Sequence, residues 1–165
     1  MKDTLIEVIQ MRQEHWPEVR QIFQEGIETG ISTFETEPPE WEEFDKGHLR
    51  CCRFVSKDEG QVTGWAALTP VSNRKAYSGV AEVSIYVSEK AKSKGNGSAL
   101  MEQLISCSEE HGIWTLQSIV FPENKVSIEL HKKFGFRIVG YREKISKNRF
   151  GNWQDTILLE RRSRI

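Results

Sequence analysis

Three stretches of the 165-residue chain gather residue types that can do chemistry. The first is Lys92-Ser93-Lys94-Gly95-Asn96-Gly97-Ser98, which follows an apolar strand and opens a helix. A helix start leaves main-chain N–H groups without internal acceptors, and its dipole favours negative charge there. Glycines at 95 and 97 let the backbone close around a phosphate without Cβ clashes, and Lys90, Lys92 and Lys94 add positive charge beside it. The spacing is neither a Walker loop nor a complete Rossmann fingerprint. On its own the stretch suits a solvated loop as well as an anion cradle. The strand before it favours the cradle and leaves the ligand open.

The second stretch is that strand, Ala81 to Val87. Its odd positions are apolar and its even positions are Glu82, Ser84 and Tyr86. A strand covered by helices on both sides should be apolar on both faces. A carboxylate leading toward a phosphate loop instead lines a cleft, since ligands sit at the carboxyl ends of such strands. The third stretch is Asn124, Ser127, His131 and Gly135, at intervals of three, four and four, which stacks Ser127 and His131 on one helix face. A lone histidine there is as a rule structural.

The elements that must hold these residues read as follows. Thr4 to Met11 is a first strand, and His15 to Gly30 a helix whose apolar positions Val19, Ile22, Phe23 and Ile27 form one face. A loop at Thr33 to Pro39 precedes a short helix with Trp41 and Phe44. Strands Arg53 to Ser56 and Val62 to Leu68 are joined by a loop over Lys57 to Gln61, with its glycine. After strand Ala81 to Val87 come helix Ser98 to His111, strand Leu116 to Phe121 and helix Lys125 to Phe134. Strands Arg137 to Ile145 and Trp153 to Glu160 close the chain. This order predicts an α/β (α+β) single domain over residues 1–165, a mixed, twisted central sheet with helices on both faces.

Composition narrows the function. Twenty-three basic against 24 acidic side chains give a net charge of -1, so no global field draws the chain to nucleic acid or an anionic membrane. No apolar run approaches the roughly 20 residues of a membrane span, and no secretory leader is evident. Cys51, Cys52 and Cys107 form no CxxC pair and have no histidine at obvious zinc-ligand spacing, which reads as reduced thiols in a cytoplasmic protein without a metal.

Taken together, the three stretches resemble the GCN5-related N-acetyltransferase (GNAT) superfamily, and within it the phosphinothricin and methionine sulfoximine acetyltransferase branch. Lys92-Ser93-Lys94-Gly95-Asn96-Gly97 matches the superfamily pattern Arg/Gln-x-x-Gly-x-Gly/Ala except at Lys92, where lysine keeps the charge but not the guanidinium fork. Asn124, Ser127, His131, Gly135 and Phe136 fill the later pattern Asn-x-x-Ala/Ser-x-x-x-Tyr/His-x-x-x-Gly-Phe. The branch is marked by Thr33-Phe34-Glu35-Thr36-Glu37-Pro38, by Arg74-Lys75-Ala76-Tyr77 with Glu82 following, and by Phe150-Gly151-Asn152-Trp153-Gln154-Asp155.

The resemblance implies a GNAT acyl-CoA N-acyltransferase fold in which the Ala81–Val87 and Leu116–Phe121 strands splay apart around acetyl-CoA. It implies pantetheine on the backbone of Ile85, Tyr86 and Val87, pyrophosphate on Ser93 to Ser98, and further cofactor contacts from Lys92, Asn124, Ser127 and Lys133. The reaction it implies is direct attack of a small amine on the thioester, with Glu82 as base, His131 as acid toward the leaving thiolate, and Val87 N–H on the oxyanion. An ordinary carboxylate at ~4.3 lies roughly 7–8 kcal/mol from an alkylammonium at ~10, so either burial raises the acid or the amine arrives neutral and Glu82 orients a water. Phe34, Glu35, Arg74, Tyr77, Arg149 and Trp153 fall in the loops this branch uses around its amino-acid-like acceptor, and since a partner subunit often completes the site in this branch, the resemblance implies a homodimer. An acyl-CoA sensor without turnover, and an acetyltransferase acting on protein N-termini or lysines, are the competing expectations.

Overall fold

A computed structural model describes residues 5–165. Seven strands form one sheet in the order β1-β2-β3-β4-β5-β7-β6. They are β1 Glu7–Gln10, β2 Phe54–Asp58, β3 Gln61–Pro70, β4 Val80–Val87, β5 Thr115–Val120, β6 Arg137–Lys147 and β7 Trp153–Arg162. All neighbours are antiparallel except β4 and β5, so the sheet is mixed as expected. Four helices cover it: α1 Trp16–Thr29, α2 Trp41–Gly47, α3 Asn96–Glu110 and α4 Lys125–Lys133. The first strand begins later than its pattern suggests, and Thr4 lies outside the described residues.

Two cores explain the layers. On one face α1 and α2 bury Val19, Ile22, Phe23, Ile27 and Phe44 against Val55, Trp65 and Ala67. On the other, Leu100, Met101 and Leu104 of α3 and Ile128 of α4 pack on Ala66, Leu68, Ala81, Val83 and Leu116. Each fully buried side chain of this size contributes about 1.5–3 kcal/mol. Alternation along β4 therefore sends Ala81 and Val83 toward α3, and Tyr86 toward α1.

Local chemistry sets the boundaries. Gly30 ends α1 in the left-handed region (φ 72), as the sequence suggests. The β2–β3 connection is tighter than the expected five-residue loop. Asp58 pairs with Gln61, and Glu59-Gly60 turns the chain with φ of 49 and 79. Both central residues are left-handed, the geometry that matches strand twist. Gly26, in the last turn of α1, lets β4 approach: a Cβ there would lie 2.5 Å from the Tyr86 ring.

Candidate active site

Strands β4 and β5 pair at Val80↔Thr115, Ala81↔Leu116 and Glu82↔Gln117 and then part. β4 runs on to Val87 and β5 to Val120, so the β5-facing edge of Val83 to Val87 has no strand partner. On its other edge β4 remains paired to β3 as far as Val87, which holds the exposed edge straight. The opening is thus a wedge with main-chain donors and acceptors on one wall.

At the far end of β4 the chain makes a 3-10 turn over Glu89–Ala91 and enters α3 through Ser93 (φ 62) and Gly95 (φ 91). Among the described residues, the amides of Ser93 to Ser98 find no main-chain acceptor; the first to do so is Ala99, which donates to Gly95. An anion could satisfy them, in a position the helix dipole favours. Gly97 also allows close packing on α4, since a Cβ there would meet the Leu130 side chain at 3.2 Å and make it give way.

The side chains of this loop divide their work. Asn96 is only 1% exposed; its side chain donates to the Ala91 carbonyl at 3.1 Å and accepts from Thr63 Oγ1 at 2.7 Å. It clamps the loop to β3, so only its backbone can face a ligand. Lys92 Nζ pairs with Glu89 at 2.6 Å, and Lys133 Nζ reaches across from α4 to Ser98 Oγ at 3.1 Å. Ser98 and Lys133 therefore share one place, beside the free amides. Lys94 is exposed.

Glu82 is half-buried in the wedge, and Gln117, its partner across the parallel pair, donates Nε2–H to its carboxylate at 3.0 Å. That bond fixes one carboxylate oxygen and leaves the other for a ligand. Sequence reading missed Gln117; a glutamine alternating with Leu116 and buried Ser118 on an interior strand is the signal that could have found it. Tyr86 is not a cleft residue by its side chain. Its ring stacks on Trp65 at 4.7 Å and Phe23 at 5.1 Å, and burial pushes its hydroxyl up to about 12. The polar face expected of β4 is thus Glu82 and Ser84 only, and alternation of the ladder turns the main chain of Tyr86 to β3 and leaves that of Ile85 and Val87 at the open edge.

On α4, Asn124 caps the helix by accepting from the Ser127 amide at 3.3 Å. His131 is 3% exposed, with Nδ1 2.6 Å from the Ser127 carbonyl and 3.4 Å from its hydroxyl. A carbonyl only accepts, so Nδ1 carries the proton. Burial lowers the ring's pKa despite that bond, which leaves it neutral. Nε2 then holds a lone pair, buried and without a partner. An Nε2 in this state can accept a proton, and an acid role for His131 requires that it take one up first.

The acceptor-side residues form one cluster and one outlier. Arg149, in the β6–β7 hairpin, donates to the Ile27 carbonyl at 2.9 Å, and Phe150 lies against Gly30, so this hairpin touches the end of α1. Phe34 follows that end and meets Phe121, just past β5, at 4.7 Å. Glu35 is exposed beside Phe34, and Trp153 is exposed under Lys147 at 5.2 Å. Gln154, next in β7, donates to Glu123 just before α4 at 2.9 Å. Arg74 and Tyr77 form a cation–π pair at 5.4 Å in the β3–β4 connection, and among the described residues no hydrogen bond or ring contact joins them to the others.

A further group of chemically active side chains lies elsewhere. The sequence shows no histidine at obvious ligand spacing from the cysteines, yet the fold brings Cys51, Cys52 and His111 together.

Residues 10–136 match the acetyltransferase (GNAT) family. The phosphinothricin N-acetyltransferase of Streptomyces viridochromogenes is 30% identical over 139 residues, 78% of this chain and 72% of that protein. The L-methionine sulfoximine/L-methionine sulfone acetyltransferase of Pseudomonas aeruginosa is 29% identical over 106 residues, 64% of this chain and 61% of its own length. A GNAT superfamily phosphinothricin acetyltransferase from Sinorhizobium meliloti, solved in complex with AcCoA, superposes with a TM-score of 0.85 at 27% identity, covering 95% of this chain and 88% of that one.

Proposed function

This chain belongs to the acetyltransferase (GNAT) family, and we propose that its wedge is where an amino-acid-like amine meets acetyl-CoA. The protein is an acetyl-CoA-dependent N-acetyltransferase whose acceptors are of the phosphinothricin and methionine sulfoximine type. The observation that carries the site assignment is the parting of β4 from β5 immediately after Glu82↔Gln117, with unpaired amides at Ser93 to Ser98 beyond it.

In this reading the amides of Ser93 to Ser98 hold the pyrophosphate, with Lys92, Lys94 and Lys133 supplying charge. The free edge of Ile85 to Val87 pairs with the pantetheine amides, and Asn124 and Ser127 line the opposite wall. A β4 amide, Val87 N–H, donates to the developing oxyanion. Glu82, steadied by Gln117, receives the amine's proton through a water, which suits an amine that arrives neutral. His131 Nε2 receives that same proton from Glu82 through the water and returns it to the departing thiolate. Most of the rate gain comes from holding amine and thioester in line. Phe34, Glu35, Arg149 and Trp153 border the acceptor; Arg74 and Tyr77 join them from a partner subunit.

The last point asks for a homodimer. Support comes from edge strand β6, which exposes Ile138, Val139, Tyr141 and Ile145. Val139→Lys should convert the dimer to monomer in analytical ultracentrifugation. No helix among the described residues is long and apolar enough to cross a membrane, and we place the enzyme in the cytoplasm. Thiol release from acetyl-CoA, measured with phosphinothricin, methionine sulfoximine and the standard amino acids, tests the function directly. Release with none of these, despite coenzyme A binding, would return the chain to an acyl-CoA sensor.

A further inference from the structure

The thiol cluster sits at the C-terminal end of α3. Cys51 and Cys52 lie in the loop between α2 and β2, Cys107 is one turn from the end of α3, and His111 follows that helix directly. The ligating atoms of Cys51, Cys52 and His111 all fall within 4.8 Å of one another. His111 Nδ1 is 4.0 Å from Cys52 Sγ and 3.5 Å from Cys107 Sγ. Zinc bonds of ≈ 2.3 Å to sulfur and 2.0–2.1 Å to nitrogen, set tetrahedrally, would separate the ligand atoms by about 3.5–3.8 Å. The two distances from His111 Nδ1 to sulfur are already close to that spacing, and the Cys51–Cys52–His111 atoms need move by no more than about 1 Å to reach it.

Two further observations show that the residues are held there. Cys52 has φ 58, a left-handed backbone that costs a non-glycine residue energy, and its side chain is nevertheless 4% exposed. The neighbouring Arg53, 5% exposed, fastens the loop through Leu49 O at 2.6 Å, Asp45 O at 2.8 Å, His48 O at 2.9 Å and the Asp45 carboxylate at 2.5 Å. That network fixes the strained cysteine's position independently of any contact with α3. His111 and Cys107, four residues apart, stand on one helix face and meet it from the other side.

We propose that Cys51, Cys52 and His111, with Cys107 as the fourth ligand, form a zinc site that staples the α2–β2 loop to the end of α3. Each thiol that ligates gives its proton to solvent. His111 Nδ1, now 2.8 Å from the Cys107 carbonyl, exchanges that bond for the metal, and the ring's remaining proton moves to Nε2. The site lies a whole helix away from the amides of Ser93 to Ser98, roughly 22 Å for 15 residues. It acts on the fold and leaves the acyl-transfer chemistry alone.

Cobalt(II) and zinc(II) are themselves the probes. The full-length protein, reduced and stripped with a chelator, should bind one cobalt per chain with a thiolate-to-metal charge-transfer band and the strong visible bands of tetrahedral cobalt. Zinc should displace the cobalt and raise Tm. His111→Ala, at an exposed helix end that does not decide folding, and Cys51→Ser, half-buried, should each weaken zinc binding by at least about tenfold. Both should keep the coenzyme A affinity of the parent. Absence of the charge-transfer band, or a band and a zinc affinity unchanged in both variants, overturns the proposal.

Discussion

The two ends of helix α3 do opposite things with the same fifteen residues. At the N-terminal end the groups left unsatisfied are backbone amides, which the proposed function gives to the pyrophosphate, and the Asn96 side chain turns inward to hold the loop. At the C-terminal end the backbone is closed by ordinary helix-ending bonds at His111 and Gly112, and the functional groups are side chains from two distant segments. A backbone site is specified by what is missing, Cβ atoms and acceptors. A side-chain site is specified by what a loop brings. The first tolerates changes of charge and fails on added bulk; the second tolerates neither loss of a ligand nor a shift of the loop.

Four changes can break or sharpen this contrast. The largest effect should come from Glu82→Gln, in the wedge fed by the N-terminal end: kcat/KM at pH 7 falls by about 10² or more with coenzyme A affinity kept. A near-parental rate in that variant would remove the carboxylate from the reaction. Next, Gly97→Val meets Leu130 at 3.2 Å and should weaken coenzyme A binding at least about tenfold, worth roughly 1.4 kcal/mol, in calorimetry. Equal affinity would mean the amides do not grip the ligand.

A smaller effect concerns stability. Burial lowers the pKa of His15, His48 and His131 below the ordinary 6.5, so all three are neutral in the folded chain. The unfolded chain then binds more protons below that pH, and stability is lost as pH falls from about 6.5 toward the depressed values. Tm should drop over this interval and be flat just above it, and His131→Gln should shrink the drop. A Tm insensitive to pH below 6.5 would contradict the neutral ring. The smallest effect belongs to Lys92→Ala. Its ammonium is paired with Glu89 in solvent, so coenzyme A affinity should change only about two- to threefold, and less at high salt.

The contrast also explains what could be read from the chain. Gly95 and Gly97 announce the amide cradle because a missing Cβ is visible in one dimension. Every helix and strand that carries the site was likewise legible from apolar periodicity. Gln117 was not, because its meaning depends on standing opposite Glu82 across a parallel pair 35 residues away. The Cys51–Cys52–His111 cluster was hidden for the same reason, with 59 residues between Cys52 and His111. Tyr86 shows the reverse failure: strand alternation put its hydroxyl on the polar face, whereas Gly26 opens a slot that draws the ring into the core. The role of His131 turned on a carbonyl within hydrogen-bond reach of Nδ1, a detail no spacing encodes.

Among the described residues, the three pairs between β4 and β5, extended by the Trp114 and Thr115 amides on the Gly79 carbonyl, are the seam that stitches β1–β4 to β5–β7 within the sheet. A ligand bridging that seam would act as a splint across two semi-independent slabs. In hydrogen–deuterium exchange the amides of β5 and β7 should therefore open more readily than those of β3 in the free protein, and the two sets should converge once the gap is spanned.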